Sequence, residues 1–168
     1  FLSGMPYGIF DSSENCLVAI GWQDICKRFH QQHPVCSELC CSRHFEHSSI
    51  RIKNSMNDAQ GIVEYRCKNG MINVAMPIII DGEHLATFFT CQFFYDDTPP
   101  EKDFFVNQAA TLGFDTNAYL AALERVPVFN RKYIHDNLLF LHNMVQIMAE
   151  MGFSNLKLIQ EIEEHRRI

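Results

Sequence analysis

The sequence predicts an α+β domain: a five-stranded antiparallel sheet with a helical insertion and a long C-terminal helix. Three observations carry that prediction. Asn69-Gly70 and Asp81-Gly82 punctuate the apolar stretch from Ile62 to Tyr95 as hairpin corners. Two short apolar runs, Tyr7-Gly8-Ile9-Phe10 and Cys16-Leu17-Val18-Ala19-Ile20, bracket a polar turn near the start. From Asn130 onward, apolar residues recur at the spacing of a packed helix. Strands gathered around one helical block indicate α+β architecture, not alternating βαβ units.

The first two runs form a hairpin around Asp11-Ser12-Ser13-Glu14-Asn15. In the insertion between Gly21 and Gly61, Trp22, Ile25, Cys26 and Phe29 recur at helical spacing as far as His33-Pro34. Pro34 suits a first helical position and opens a second helix, and residues from Ile50 to Gln60 read as helical again. In the third strand Val63, Tyr65 and Cys67 alternate with Glu64, Arg66 and Lys68, the mark of a half-buried strand.

A two-residue turn pairs the residues that flank it, which fixes a register. Lys68 is expected opposite Met71, Cys67 opposite Ile72, and Tyr65 opposite Val74. From the second corner, Ile80 is expected opposite Glu83, Val74 opposite Phe89, and Ile72 opposite Cys91. One face then presents Tyr65, Cys67, Ile72, Val74, Met76, Phe89, Cys91 and Phe93. Cys67 and Cys91 flank Ile72 at about 10 Å, too far apart for a disulfide. Pro77 cannot donate to the ladder; a bulge there slips the second register by one and turns Cys91 to the other face.

Thr98-Pro99-Pro100-Glu101 reads as a capping box opening a helix that ends at Gly113 in a left-handed cap. Asp115 or Thr116 starts another, which stops before Pro127. In the terminal helix Ile134, Leu138, Leu141, Val145 and Met148 follow 4-3-4-3 spacing, which suits core packing and a dimer seam alike. Gly152-Phe153-Ser154 is expected to interrupt it before Leu158 and Ile162 resume. Two parts result: a domain over residues 1–128, and a helical segment over 129–168 that packs, dimerises and connects to an output module. The polar end from Glu161 to Ile168 reads as a connecting helix within a longer protein.

Composition narrows the function. Twenty acidic against fourteen basic side chains give a net charge of -6, which excludes an electrostatic footprint for nucleic acid or an anionic membrane. No run approaches the roughly 20 apolar residues of a membrane-spanning helix, and no signal peptide is visible. Seven cysteines, at positions 16, 26, 36, 40, 41, 67 and 91, are an odd set in a chain too long for a disulfide scaffold. They indicate a reducing compartment, the cytoplasm.

Tyr65-Arg66-Cys67-Lys68-Asn69-Gly70-Met71, then Met76-Pro77-Ile78-Ile79-Ile80-Asp81-Gly82-Glu83-His84-Leu85, then Cys91-Gln92 together carry a resemblance. Their order and spacing resemble the PocR sensory domain, a PAS-like ligand-sensing module of histidine kinases and transcription regulators. That family shows an aromatic–x–Cys strand, a following Gly, a Pro-Ile run ending in Asp-Gly, and a Gly-Gln pair. It also carries cysteines in the preceding helices, where Cys26 and Cys36 match. Similarity extends from about Tyr7 to Val128. This chain departs from the pattern at Cys91, where the family has glycine, and at Lys68-Asn69, where it has His-Ala. The resemblance implies a PAS-like sensory input domain, not an enzyme. The implied ligand is a small organic molecule, such as a hydrocarbon derivative or diol, bound between sheet and helices. Tyr65, Cys67 and Gln92 supply the polar contacts, and Ile72, Val74, Phe89 and Cys91 the walls. Gln92 faces away in the register above, so its inclusion rests on the family match and a bulge.

A rival constellation uses thiols and imidazoles. On one continuous helix His33, Cys36, Cys40, His44 and His47 fall on a single stripe. Cys26, Cys36 and Cys67 form the triad expected to hold zinc or an iron–sulfur cluster, or to sense redox state. The alternative is that these cysteines fill a buried stripe, and no bound cofactor is the leading expectation. Catalytic motifs are missing: there is no Gly-x-Ser-x-Gly, phosphate loop or His-Glu-x-x-His. His84 beside the second corner reads as solvent-exposed, and Asp96-Asp97 as turn chemistry before a helix. The expected partners are a small ligand, a second copy through the C-terminal helices, and a kinase or regulator module in the same chain.

Overall fold

A computed structural model describes residues 5–13, 15–38 and 62–167. The chain builds β1 (Tyr7–Asp11), β2 (Cys16–Ile20), a π-helical turn (Ile25–His30) and α1 (Pro34–Glu38). There follow β3 (Val63–Arg66), β4 (Ile72–Ile80), β5 (Glu83–Tyr95), α2 (Lys102–Leu112), α3 (Thr116–Glu124), β6 (Val128–Phe129) and α4 (Arg131–Arg166). The sheet runs β2-β1-β5-β4-β3, all antiparallel, an α+β PAS-like arrangement as expected. A sixth strand was not foreseen: β6 adds in parallel to the end of β5. Its two residues are too few for a periodicity signal.

The two glycine corners differ. Asp81 and Gly82 both take positive φ, 51° and 81°, and Ile80 pairs with Glu83, as a two-residue hairpin turn requires. At the first corner only Gly70 is left-handed, with φ 92°. Gly70 N–H donates to Cys67 O at 2.9 Å, and Cys67 N–H donates to Met71 O at 2.8 Å. This is a three-residue loop, Lys68-Asn69-Gly70, closed by a glycine bulge, so Cys67 lies opposite Met71. The position tolerates only glycine: a Cβ there would sit 2.8 Å from Phe104 Cε1 and 2.9 Å from Phe105 Cζ.

The extra loop residue shifts β3 by one, so that Tyr65 pairs with Asn73 and Glu64 with Val74. The β4–β5 ladder slips as well, between Ile78 and Ile79, next to Pro77. It slips again between Ile72 and Asn73, where Gln92 is squeezed out of the ladder at φ 62°. Because side chains alternate with a period of two, these slips divide the single face expected from the sequence. Ile72, Val74, Met76 and Phe93 join Phe88 on one face, packed by Ile134 and Leu138 of α4. Tyr65, Ala75, Phe89 and Cys91 lie on the other, with Phe10, Val63 and Trp22. Ile72 and Val74 therefore do not share a face with Tyr65, Phe89 and Cys91.

The helices follow their caps with exceptions. Gly113 is the left-handed end of α2, and Asp115 caps α3 by accepting from Ala118 N–H at 2.7 Å. Thr98 is not the cap of α2; it pairs with Tyr95 at the strand end while its hydroxyl donates to Asp97, leaving Glu101 at the N-terminus. The first insertion helix is shorter than expected and is π-helical, with Gln31 N–H reaching Cys26 O at 2.8 Å. Pro34 opens α1 as read. Cys40, Cys41, His44, His47 and the expected helix from Ile50 to Gln60 lie outside the described residues. α4 runs unbroken through Gly152. One glycine costs about 1 kcal/mol against alanine, too little to break a helix of strong formers.

α4 lies across the sheet along β4. Ile134, Leu138, Leu141, Val145 and Ala149 face the sheet, whereas Met148 is exposed. Its side chains also hold the backbone of β4. His142 Nε2 donates to Pro77 O at 2.7 Å, and Gln146 accepts from Ile79 N–H at 3.1 Å while donating to Ile79 O. Arg131 fixes the start of α4, bonding Asp97 and Glu64 at 2.9 Å each and stacking 3.8 Å over Tyr95. The Asp97 carboxyl is held below the usual range by Arg131, then by Thr98.

Candidate ligand site

The sheet face opposite α4 is the candidate site. It is built from alternate residues of β3, β4 and β5, and from the segment after β2 that crosses it. The Phe89 ring packs close against β1 because residue 8 is glycine; a Cβ there would meet the ring at 2.3 Å. Phe10 packs 4.8 Å from that ring. Cys91 is fully buried opposite Asn73, and Tyr65 flanks Asn73 from β3.

Gln92 reaches this region through its left-handed bulge. Its side-chain oxygen accepts from Gln23 N–H at 2.6 Å, which ties the Trp22–Gln23 segment to the sheet. Gln23 O in turn accepts from Cys26 and Lys27 N–H, so the same tie holds the start of the π-helical turn. Positive φ on a residue with a side chain costs about 1–2 kcal/mol and is kept where surrounding structure enforces it.

Two polar atoms on this face are buried without a hydrogen-bond partner: the acceptor Asn73 Oδ1 and the donor Trp22 Nε1. The Asn73 amide donates to Met71 O at 3.1 Å, which orients its oxygen. Each such orphan costs on the order of 1–3 kcal/mol. Neither residue was singled out from sequence. A signal existed for Asn73, a lone amide inside the apolar run Ile72–Ile80; Trp22 was assigned to a helix core.

Of the residues chosen from sequence, Tyr65, Phe89, Cys91 and Gln92 come together here. Ile72 and Val74 face α4. Cys67 belongs to a second cluster with Cys26, Phe29, Phe105 and Tyr119, where its sulfur accepts from Met71 N–H at 3.3 Å.

That second cluster contains a buried polar chain. Tyr119 OH donates to Gln108 Oε1 at 2.7 Å, so the His30 Nε2 contact at 2.7 Å requires the proton on His30 Nε2. Nδ1 is then the acceptor facing Cys26 Sγ at 3.6 Å. Gln108 continues to Asn69, and Asn69 to Cys36 O at 3.4 Å. Burial drives the Tyr119 hydroxyl pKa well up, and the thiols of Cys36, Cys26 and Cys67 push it further. The three expected cysteines thus share one neighbourhood. Among the described residues, however, no group of three or more His, Cys, Asp or Glu side chains is arranged to hold a metal ion. His84 is half-buried and bonded to Thr87 at 2.8 Å, not solvent-exposed.

No helix among the described residues is long and apolar enough to cross a membrane. No curated protein matches this sequence. No solved structure matches it either. A family model described as the sensory domain found in PocR matches residues 2–153, which extends the similarity beyond β6 and through most of α4. The chain belongs to the PocR sensory-domain family.

Proposed function

We propose that this domain binds a small, neutral, hydroxylated organic molecule, of the hydrocarbon-derivative or diol class, on the sheet face opposite α4. The observation that carries the reading is the pair of orphaned atoms. Hydroxyl groups both donate and accept, so a hydroxylated molecule carries a donor suited to Asn73 Oδ1 and an acceptor suited to Trp22 Nε1. Phe89, Cys91, Phe10 and Tyr65 give apolar walls, and Gln92 holds the covering segment. Membership in a sensory family supports an input domain without catalysis.

The output runs through α4. β4 presents Asn73 to the ligand face, while Pro77 and Ile79 are held by His142 and Gln146. A ligand that favours one seating of β4 biases the position of the helix, a population shift that reaches an output module of histidine-kinase type. The signalling unit is a cytoplasmic homodimer joined through these helices.

Thermal unfolding across a panel of short alcohols, diols and matched alkanes tests the reading. At a concentration of 100 times Kd a bound ligand adds about 2.7 kcal/mol, a rise in Tm of roughly 5–10 °C. Equal response to alkanes and diols, or none to either, overturns it. A second reading, a metal- or redox-responsive sensor, draws on the common effect of Cys36, Cys26 and Cys67 on Tyr119. Stoichiometric zinc or iron in anaerobically purified protein would favour it over the first.

A further inference from the structure

α4 carries two apolar stripes. The first faces the sheet. The second, about a quarter turn round the helix, is bare: Met148 is 67% exposed, Met151 63%, Leu158 55% and Ile162 44%. Met144, Met148, Met151, Asn155, Leu158 and Ile162 follow 4-3-4-3-4 spacing over five turns, about 27 Å of helix. Numbered as a heptad, Met148, Asn155 and Ile162 occupy a positions, and Met144, Met151 and Leu158 occupy d positions. This stripe crosses Gly152 without a break, so the glycine does not divide the seam.

We infer that α4 pairs with α4 of a second copy as a parallel, in-register two-stranded coiled coil centred on Asn155, with Glu161 of each copy bonded to Arg166 of the other. Two features beyond exposure select this occupant. Asn155 is a polar residue at an a position inside an apolar seam, where two such amides meet across a parallel dimer and fix its register. Glu161 is at g and Arg166 five residues later at e, the pair that faces across a parallel dimer with opposite charge, twice by symmetry. An antiparallel pairing sets g against g and e against e, and loses both pairs. Lys157, at an outward position, is held by Asp81 at 2.6 Å, so the anchoring to the sheet leaves the seam free. The inference deepens the homodimer part of the function proposed above and rests on α4 as the output helix.

Sedimentation equilibrium of the whole chain, without ligand, is expected to give twice the 19.5 kDa chain mass. Ile162→Asp is expected to give monomers with unchanged thermal response to ligand, because its side chain is outside the core. Glu161→Lys should weaken the dimer about fivefold, and the exchange Glu161→Lys with Arg166→Glu should restore it. Oxidised Leu158→Cys should form a linked dimer well above the wild-type background, and Gln160→Cys should not. A monomeric wild type, failure of the charge exchange to restore dimer, or equal crosslinking at both positions overturns the proposal. Ligand stabilisation read separately shows whether the sensory reading stands when the pairing fails.

Discussion

Replacing Asn73 by leucine separates a ligand-binding amide from a structural one, because the two roles predict opposite signs. In the folded chain Asn73 Oδ1 is buried and unpaired, a penalty of about 1–3 kcal/mol. Its amide gives back about 1 kcal/mol through the bond to Met71 O. Losing that bond strands nothing, since Met71 O also accepts from Cys67 N–H at 2.8 Å. Leucine keeps the branching at Cγ; its terminal methyl groups are larger than the amide atoms and meet Ala75, Phe89 and Cys91, and the apolar burial they add offsets the crowding they cause. The ligand-free variant should therefore gain about 1 kcal/mol, a Tm rise of roughly 3 °C. The ligand-induced rise should vanish in the same variant, because the acceptor is gone. Differential scanning calorimetry with and without the best diol measures both numbers on one sample. A variant less stable than wild type, or one that keeps the full ligand response, refutes the reasoning.

Gly70→Ala should destabilise the fold by about 3 kcal/mol in urea unfolding, from crowding against Phe104 and Phe105 together with a strained positive φ. Gln146→Leu should cost about 1–2 kcal/mol by stranding Ile79 N–H and O, and hydrogen exchange should quicken in the second half of α4 with β1 unaffected. Alkali should unfold the protein. Burial, then Tyr133, raises the Tyr7 pKa to about 12, and burial first also raises Tyr95 and Tyr119. Their folded pKa values exceed the unfolded value near 10, so this stability is intact below about pH 10 and is lost as pH rises above it. Phenolate absorbance should then appear together with loss of secondary structure; ionisation well before unfolding would contradict the burial argument.

The hairpins of β1–β2 and β3–β4–β5 and the helices from residue 102 onward were legible because corners, caps and apolar periods are local; the pairing of β1 with β5 joins residues about 80 apart and left no local mark. The candidate face was legible only in part. Asp-Gly and Asn-Gly look alike on paper, yet Asp81 accepts a left-handed backbone and Asn69 does not. The surroundings of the first corner are tertiary: Phe104 and Phe105 of α2, 34 and 35 residues further along the chain, crowd Gly70. One added loop residue then moved Ile72 and Val74 to the far side. Pro77 did flag the slip beside it, and with it the turn of Cys91. Trp22 and Asn73 were passed over because a missing hydrogen bond has no sequence signature; it exists only once neighbours are placed.

β4 is a partition a single peptide thick, with Asn73 toward one compartment and Val74 toward the other. Across such a wall, information needs no travelling side chain and no opening. A tilt of one amide plane alters the room on both sides at once, so a compound wedged between α4 and β4 should shift the amide of Asn73 without touching the face on which it lies.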